Sequence, residues 1–367
     1  MKTVMLVDGR NFVYRSHFAH KELKTSTGEP TSVLFGSLNG LLSLTKRVPG
    51  VPIVFVWDGG GRTWRHKLLA PPIGELKDRV RVPETWLDKR VMGSLDYLKN
   101  VRPKEPGEKK PEGYKAHREM DAKGIESRRV AVEQIPELIK ALNLIGIRNY
   151  QIKNLEGDDL IGLMTWKILS DKIFENVIIH STDTDFYQLL KYDGVQVMAG
   201  GEGMPFIDAK QVLVEQGISV SDWVRYRALV GDKTDNIPQL WAGLGPVRCR
   251  ALLKAGFDAS VVDPDKIPER AWSMFMMMVR DAVDRREVWK MVRRNYTACR
   301  IVTKSDFPLF PEDVKEKVSE LCGTLEKVDL IRQEWGEKEY REFGEWLVMK
   351  EMPYLRGRMD EFTSMML

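Results

Sequence analysis

The first half of the chain alternates short β-rich runs with segments whose apolar residues recur at helical spacing. Four short runs predict strands: "TVMLV" (3–7), which is typical of a buried strand, "VPIVFVW" (51–57), "NYQI" (149–152) and "ENVIIHS" (175–181). Helix-like patterns lie between them, at 11–23, 31–48, 128–146 and 158–171. This order predicts an α/β fold in which helices cover a mostly parallel central sheet. The pattern after residue 205 is mainly helical.

Three regions are predicted along the 367 residues. Residues 1–220 form the α/β core, including a basic insertion at about 70–145. Residues 221–305 form a helical region, and residues 306–367 form a C-terminal extension to which the sequence assigns no role. Within the insertion, "RPKEPGEKKPEG" is so rich in Pro, Gly and charge that we expect a loop there.

The composition is that of an ordinary globular protein. A hydrophobic content of 43% supports a packed core. No run approaches the ~20 apolar residues of a membrane span, and the apolar N-terminal run is too short for a signal peptide, so we expect a cytoplasmic protein that does not contact membranes. The three cysteines are widely spaced, which excludes a disulfide framework and a C-x-x-C zinc site.

Positive charge is concentrated in one block. The formal net charge is +4, but residues 62–129 contain 18 Lys or Arg against 11 Asp or Glu. The remainder of the chain is therefore net negative by three charges. A basic block of this kind is either solvated surface or a binding site for a polyanion, and its composition alone leaves both readings open.

Acidic residues follow every predicted strand. Since the carboxyl ends of parallel strands meet at one edge of a sheet, these side chains are expected to lie together. An Asp between a strand and a helix is usually a helix cap, and each acid taken singly has that explanation. Seven acids after four strands are better explained by a cation site, because clustered carboxylates repel one another unless a cation neutralises them. The acids are Asp8, Asp58, Glu156, Asp158, Asp159, Asp183 and Asp185, joined further on by Asp232 and Asp235 in "GDKTDN".

The donor type indicates the metal and the reaction. Carboxylate oxygens without Cys or His at zinc spacing favour Mg²⁺, with Mn²⁺ as a substitute. Asp158 and Asp159 are neighbours at a helix start and project roughly 100° apart, so they can serve two adjacent ions, or one can bind an ion directly while the other supports it from the outer coordination sphere. Two ions about 4 Å apart suit in-line displacement at phosphorus. The sequence therefore predicts phosphodiester hydrolysis.

At this point the sequence resembles the 5′-nuclease family, which comprises flap endonucleases, phage 5′-to-3′ exonucleases and the N-terminal nuclease domain of bacterial DNA polymerase I. Eight motifs carry the resemblance in family order over roughly residues 1–305. They are "LVDGRNFVYRSHFA" (6–19), "TSTGEPTSVLFGSLNGLL" (25–42), "VWDGGGRTWRHKL" (56–68), "YKAHR" (114–118), "EGDD" (156–159), "STDTDFYQLL" (181–190), "GDKTDNIP" (231–238) and "AGLGPVRCRALL" (242–253). The resemblance implies a PIN-like nuclease core followed by a helix-hairpin-helix region.

The resemblance also implies roles for individual residues. One ion would be held by Asp8, Asp58, Glu156 and Asp158, and the second would be surrounded by Asp159, Asp183, Asp185, Asp232 and Asp235, some of them through water. Lys115 and Arg118 would lie at the base of a helical arch and steady the scissile phosphate. The DNA contacts would be Arg15, Arg62, Arg65, Lys115, Arg118, Gly243, Gly245, Arg248 and Arg250, and the family's hairpin can also hold K⁺.

The implied activity is a Mg²⁺-dependent 5′-nuclease of DNA replication or repair. Its substrates would be DNA with 5′ ends, flaps or nicks, or the RNA strand of an RNA-DNA hybrid. We expect a monomer, and the C-terminal extension is a candidate contact for replication proteins. Two alternatives are an RNA-cleaving relative with a similar acidic sheet edge and a junction-binding protein without catalysis.

Overall fold

The computed structural model describes most of the chain. The ranges are 2–69, 122–201, 203–232, 244–279, 285–302, 309–331 and 335–364, together with residues 235, 237, 239 and 240. The described residues group into two compact units. The first contains those up to Gly61, those from Ala122 to Asp208 and those from Val302 onward, and the second contains the rest. The C-terminal segment therefore belongs to the first unit, although the sequence pattern sets it apart as an extension.

One six-stranded sheet forms the centre of the first unit. Its strands are β1 (Thr3–Asp8), β2 (Ile53–Trp57), β3 (Arg148–Gln151), β4 (Asn176–His180), β5 (Val195–Met198) and β6 (Phe206–Ile207). Their order is β3-β2-β1-β4-β5-β6, and only β6 pairs antiparallel to its neighbour. The predicted α/β class and mostly parallel sheet are confirmed. The chain runs outward from β1 through β2 and β3 and then returns to the other side of β1, so β1 and β4 flank the topological switch point.

Helices make up most of the remaining regular structure in the described residues. In chain order they are α1 (Gly9–Ala19), α2 (Ser32–Arg47), α3 (Trp64–Leu68), α4 (Ala122–Glu133), α5 (Ile135–Leu144), α6 (Gly157–Ser170), α7 (Ala209–Gln216), α8 (Trp223–Val230), α9 (Pro246–Lys254), α10 (Glu269–Val279), α11 (Arg285–Ala298), α12 (Glu312–Thr324), α13 (Lys327–Leu330), α14 (Glu337–Met349), α15 (Pro353–Arg356) and α16 (Met359–Ser364). Two 3₁₀ segments lie at Thr184–Lys191 and Pro264–Lys266.

The single helix predicted over 128–146 is two helices, α4 and α5, separated at Gln134. Pro136 occupies the first turn of α5, where its missing N–H costs nothing, whereas within a continuous helix it would remove a backbone hydrogen bond. The break also has a use. The side-chain oxygen of Gln134 accepts the Val33 N–H at 3.0 Å, which satisfies one of the unpaired donors at the start of α2.

The C-terminal helices complete the core of the first unit. Phe343, Trp346 and Leu347 of α14 are buried in one cluster with residues of β1, β2, α2 and α5. Polar contacts tie the same segment to the loop between α1 and α2. The Ser26 N–H and hydroxyl each donate to the Glu351 carboxylate at 2.5 Å.

We expect Leu347→Ala to lower the free energy of unfolding by about 3 kcal/mol, since Leu347 is fully buried and the change leaves a cavity. The matched control is the next residue. Val348 is 49% exposed, so Val348→Ala should change stability by less than about 0.5 kcal/mol. Urea unfolding of both variants measures the difference. Equal, small effects would show that α14 is not part of the core.

The second unit is helical in its described part. Helices α8 to α11 pack around a buried cluster that includes Leu229, Leu252, Phe257, Trp272 and Trp289. The ring of Phe257 lies between the aromatic side chains of α10 and α11. No helix in the described ranges is long and apolar enough to cross a membrane.

Candidate active site

Three strands deliver acidic segments to one edge of the sheet. Asp8 is the last residue of β1, Asp58 follows β2 directly, and Asp183 follows β4 by three residues. The strand register aligns these ends, because Asp8 pairs with Val56 and Val7 pairs with His180. Neighbouring strands lie about 4.8 Å apart, so the acids that follow them are brought together by the backbone.

Asp8 is the buried centre of this edge. It is 8% exposed, and its Oδ1 accepts the Asn11 N–H at 3.0 Å as the N-cap of α1. Its Oδ2 accepts a hydrogen bond from the Ser181 hydroxyl at 2.9 Å. Burial raises the pKa of Asp8 to about 7, and repulsion from Asp58 and Asp183 contributes to the increase. Asp8 is therefore both the N-cap of α1 and a member of the acidic cluster.

Asp58 is fixed by donors on both of its carboxylate oxygens. Oδ1 accepts the Gly157 N–H at the start of α6, at 2.6 Å, and Oδ2 accepts from the Arg10 guanidinium at 2.7 Å. Gly59 lets the loops after β2 and β3 pass in contact, since a Cβ there would lie 1.7 Å from the Ile152 carbonyl oxygen. This close passage holds Asp58 beside the first turn of α6.

The three acids that follow β3 take different positions. Glu156 is the N-cap residue of α6 and is 6% exposed, and Asp158 in the first turn is partly exposed. Asp159 is fully buried, and its Oδ1 accepts the Val302 N–H at 3.2 Å. Asp159 therefore anchors the chain where the C-terminal segment begins, and its predicted place beside the second ion stays a prediction.

Asp183 and Asp185 form a turn that leads into the 3₁₀ segment. The Asp183 carboxylate accepts the Asp185 N–H at 2.9 Å, and the Asp183 N–H donates to the Ser181 hydroxyl at 3.1 Å. Because that hydroxyl donates to Asp8, a continuous hydrogen-bonded path connects the turn to the end of β1.

The donor set of this edge fits a divalent cation. Every acid supplies hard oxygen donors, and the pKa of Asp8 is raised by burial first and, to a smaller extent, by repulsion from Asp58 and Asp183. Among the described residues, no three carboxylate, imidazole or thiolate side chains converge on one point as they stand.

Two of the basic residues predicted to contact DNA, Arg15 and Arg62, have different surroundings in the structure. Arg15 is partly buried, its Nη1 lies 3.2 Å from His180 Nε2, and its guanidinium occupies the space that a side chain at Gly200 would take. Arg62 is exposed. Their roles as phosphate contacts stay predictions.

Arg65 requires a correction. It is 4% exposed, and its guanidinium donates to the carbonyl oxygens of Ala298 at 2.9 Å and Arg300 at 2.5 Å. A buried guanidinium whose donors serve backbone carbonyls stabilises the end of α11, so we withdraw Arg65 as a DNA contact.

In the second unit, Gly245 is the N-cap of α9, and a Cβ there would meet open space. Arg248 in the first turn is exposed, whereas Arg250 donates to the Gln216 carbonyl oxygen at 3.2 Å. Asp232 forms an ion pair with Arg227, and its Oδ1 lies 3.4 Å from the Asp235 N–H. The predicted ion contacts of these two acids stay predictions. Lys115, Arg118 and Gly243 lie outside the described residues.

His180, at the end of β4, gives a pH-dependent prediction. It is 1% exposed, and burial, with the charge of Arg15, lowers the pKa of His180 to about 4. The unfolded state then binds the proton more tightly, so stability is lost as the pH falls from about 6.5 towards 4. We expect His180→Gln to remove about 2 kcal/mol of this acid destabilisation.

The measurement is urea unfolding of wild type and variant at about pH 7 and pH 4.5, with the partly exposed His20→Gln as the matched control. The difference between wild type and variant isolates His180, because all other titrating groups are shared. A variant that loses as much stability as wild type on acidification would contradict the prediction.

Two residues of the site were not found from the sequence. Ser181 links Asp8 to the acidic turn, and Arg10 pairs with Asp58. A signal existed for each: Ser181 follows a buried strand directly, and Arg10 is a cation placed two residues after an acid at a strand end.

Comparison with known proteins identifies related sequences over most of the chain. Residues 3–71 and 97–217 match the sequence profile of the 5′-3′ exonuclease N-terminal, resolvase-like domain. A 5′-3′ exonuclease of Aquifex aeolicus is 29% identical over 329 residues, which is 89% of this chain and 91% of that protein. The DNA polymerase I of Pseudomonas aeruginosa is 30% identical over 273 residues, which is 72% of this chain but only 24% of the polymerase.

Solved structures share the fold at lower sequence identity. The phage T5 5′-exonuclease with bound zinc superposes with a TM-score of 0.55 at 15% identity, covering 87% of this chain and 98% of that one. The phage T5 flap endonuclease in complex with DNA and metal ions gives a TM-score of 0.52 at 16% identity, covering 87% and 97%.

Proposed function

This chain belongs to the 5′-3′ exonuclease family, and from that premise we propose that it is a divalent-metal-dependent nuclease that hydrolyses phosphodiester bonds of DNA near 5′ ends. The observation that carries the proposal is the carboxylate edge described above. Asp8, Asp58 and Asp183, from three separate strand ends, are close enough for two of them to raise the pKa of the third.

The ligand assignment follows the donors that the fold brings to this edge. Asp8, Asp58, Glu156 and Asp158 would hold one ion, and Asp159, Asp183 and Asp185 would surround the other. Mg²⁺ is the expected metal and Mn²⁺ its substitute, because the donors are oxygen atoms. Bound there, two ions would activate the attacking water and stabilise the leaving oxygen.

The protein's own groups orient this chemistry. The Asn11 N–H and the Ser181 hydroxyl hold the two Asp8 oxygens in fixed directions, so Asp8 would present them to a cation as a carboxylate. The Gly157 N–H does the same for Asp58. Lys115 and Arg118 are proposed to steady the negative charge of the scissile phosphate.

DNA would be bound through its backbone. The N-terminus of α9 and the exposed Arg248 are suited to a duplex phosphate, and we propose that the segment around Gly245 works as a helix-hairpin-helix that can also hold a K⁺ ion. Such contacts carry no base information, so recognition would follow DNA shape. An activity of this kind would serve removal of 5′ flaps and RNA primers in replication or repair.

A 5′-labelled flap duplex tests the proposal directly. We expect cleavage in Mg²⁺, none in EDTA, and little cleavage of a structured RNA of similar length. An oligonucleotide product indicates flap incision, and mononucleotides indicate exonuclease action. A chimeric flap with an RNA 5′ end tests primer removal. Binding of the flap without any product in Mg²⁺ or Mn²⁺ would replace this proposal with a non-catalytic junction-binding protein.

A further inference from the structure

Arg10 is a cation in the middle of the carboxylate edge. It lies in the first turn of α1, two residues after Asp8, and its Nη1 donates to Asp58 Oδ2 at 2.7 Å. Its Nε donates to the Tyr14 hydroxyl at 3.2 Å, and the guanidinium carbon is 5.7 Å from the centre of the Tyr14 ring. The side chain is thus held at two points, one of which is a predicted metal ligand.

The helix fixes where this guanidinium can go. Arg10 and Tyr14 are four residues apart on α1, so they lie on the same face, and Tyr14 directs the arginine toward the sheet edge. Asp8 caps the same helix, which fixes the Arg10 backbone relative to β1. The Arg10 side chain is nevertheless 41% exposed. It can therefore change partner without leaving the edge.

Asp58 is the point at which the guanidinium and a divalent ion would compete. Its Oδ1 accepts the Gly157 N–H and its Oδ2 accepts from Arg10, so an ion that binds Oδ2 meets the guanidinium at that atom. The guanidinium and the ion are both positive, and their repulsion at a shared oxygen opposes simultaneous binding. Relief of the repulsion among the acids would favour the doubly charged ion.

We propose that Arg10 is an exchangeable counter-ion of Asp58: a divalent ion that binds Asp58 displaces the guanidinium, which then binds a phosphate of the DNA strand entering the site. This inference rests on the proposed nuclease function and adds a substrate contact to it. Arg10 stabilises the acid edge in the metal-free protein and becomes a substrate-binding residue in the loaded one.

The chemistry of the guanidinium supports the second half of the exchange. Arginine has five N–H donors in a planar fork, and its contacts with Asp58 and Tyr14 use two of them. Once Asp58 binds the ion, the guanidinium lacks a carboxylate partner, and a phosphate matches its fork as a carboxylate does. A DNA phosphate that reaches the edge is the anion best placed to replace Asp58.

The first experiment measures ion binding without DNA or turnover. Mn²⁺ binding is followed by electron paramagnetic resonance for wild type, Arg10→Gln and Arg10→Lys. The matched control is Arg129→Gln, which also removes an arginine paired with a carboxylate at 2.7 Å, on the surface of α4. Loss of the competing guanidinium should tighten Mn²⁺ binding about three- to fivefold in Arg10→Gln, the size expected for a partly exposed ion pair.

Arg10→Lys and Arg129→Gln should keep Mn²⁺ affinity close to wild type, because the first retains the charge and the second is remote from the edge. Arg10→Gln with unchanged or weaker Mn²⁺ affinity would overturn the exchange. The exchange would also be overturned if Arg129→Gln tightened Mn²⁺ binding equally, because the effect would then come from the net charge of the protein.

The second experiment measures DNA binding. Fluorescence anisotropy of a labelled flap duplex is recorded in Ca²⁺ over a range of salt concentrations, and a gel confirms that the DNA stays intact. Arg10→Gln should weaken binding about five- to tenfold and reduce the slope of log affinity against log salt by about one phosphate contact. Wild-type affinity and slope in Arg10→Gln would overturn the phosphate contact.

The two experiments separate this inference from the proposed function. A wild-type protein that neither binds Mn²⁺ nor cleaves the flap would remove the nuclease proposal and this inference with it. A wild type that does both, with Arg10→Gln indistinguishable from it, would remove the inference alone.

Discussion

Replacing both Asp183 and Asp185 with asparagine is expected to lower kcat on a 5′-flap DNA by roughly a hundredfold to a thousandfold. A decrease of this size is expected when charge stabilisation of the transition state is lost. Asparagine keeps a side-chain oxygen that can accept the Asp185 N–H, and it caps as well as aspartate does, so the turn should survive. The loss would then report on charge at the sheet edge.

Gel analysis of the cleaved flap gives the rate, and thermal unfolding confirms the fold. Asp171→Asn is the matched control, because that carboxylate pairs with Lys167 away from the strand ends. Cleavage at the wild-type rate by the double variant would end the assignment of the second ion to this turn.

Asp8→Asn is expected to stabilise the metal-free protein by about 2 kcal/mol at pH 8 while abolishing cleavage. A carboxyl whose pKa is raised from 3.8 to about 7 binds its proton more tightly when folded. Its favourable contribution to folding is therefore complete below about pH 3.8 and is lost as the pH rises through 7. Asparagine has no charge to lose, and its amide can still pair with Asn11 and the Ser181 hydroxyl.

Urea unfolding in EDTA at pH 8 and about pH 4.5 measures the effect. The stability advantage of Asp8→Asn should be largest at pH 8 and should shrink at the lower pH. Saturating Mg²⁺ should stabilise the wild type, because a ligand that binds the folded state raises the free energy of unfolding. It should have little effect on Asp8→Asn, because that variant lacks a carboxylate of the ion site. A variant less stable than wild type at pH 8 in EDTA would show that Asp8 is not a strained carboxylate.

The elements that could be predicted are those whose signal is local and long. Strands β1, β2 and β4 coincide with apolar runs, whereas β3 is a polar run in which no residue is buried. Parallel pairing then places the acids after these strands at one edge without further information. Strand β5 has four residues, with Gln196 exposed, and β6 has two, so neither gives a pattern above that of a loop. The break at Gln134 was missed because its helical periodicity continues across Pro136.

Individual side chains at the edge could not be assigned, because their partners are distant in sequence. Asp158 and Asp159 look equivalent in "EGDD", but the first is partly exposed, whereas the second is fully buried and accepts the N–H of Val302, 143 residues later. Arg65 resembles an exposed basic residue until the carbonyl oxygens at the end of α11 are placed around it. Arg10 pairs with Asp58 across 48 residues, and no periodicity connects them.

The most direct measurement is an anomalous difference map from a crystal of this chain soaked in Mn²⁺. We expect two peaks about 4 Å apart, beside Asp8 and among the carboxylates that follow β1, β2 and β4. A map without density next to Asp8, or with Mn²⁺ bound only by acids elsewhere on the surface, would contradict a shared ion site at this edge of the sheet.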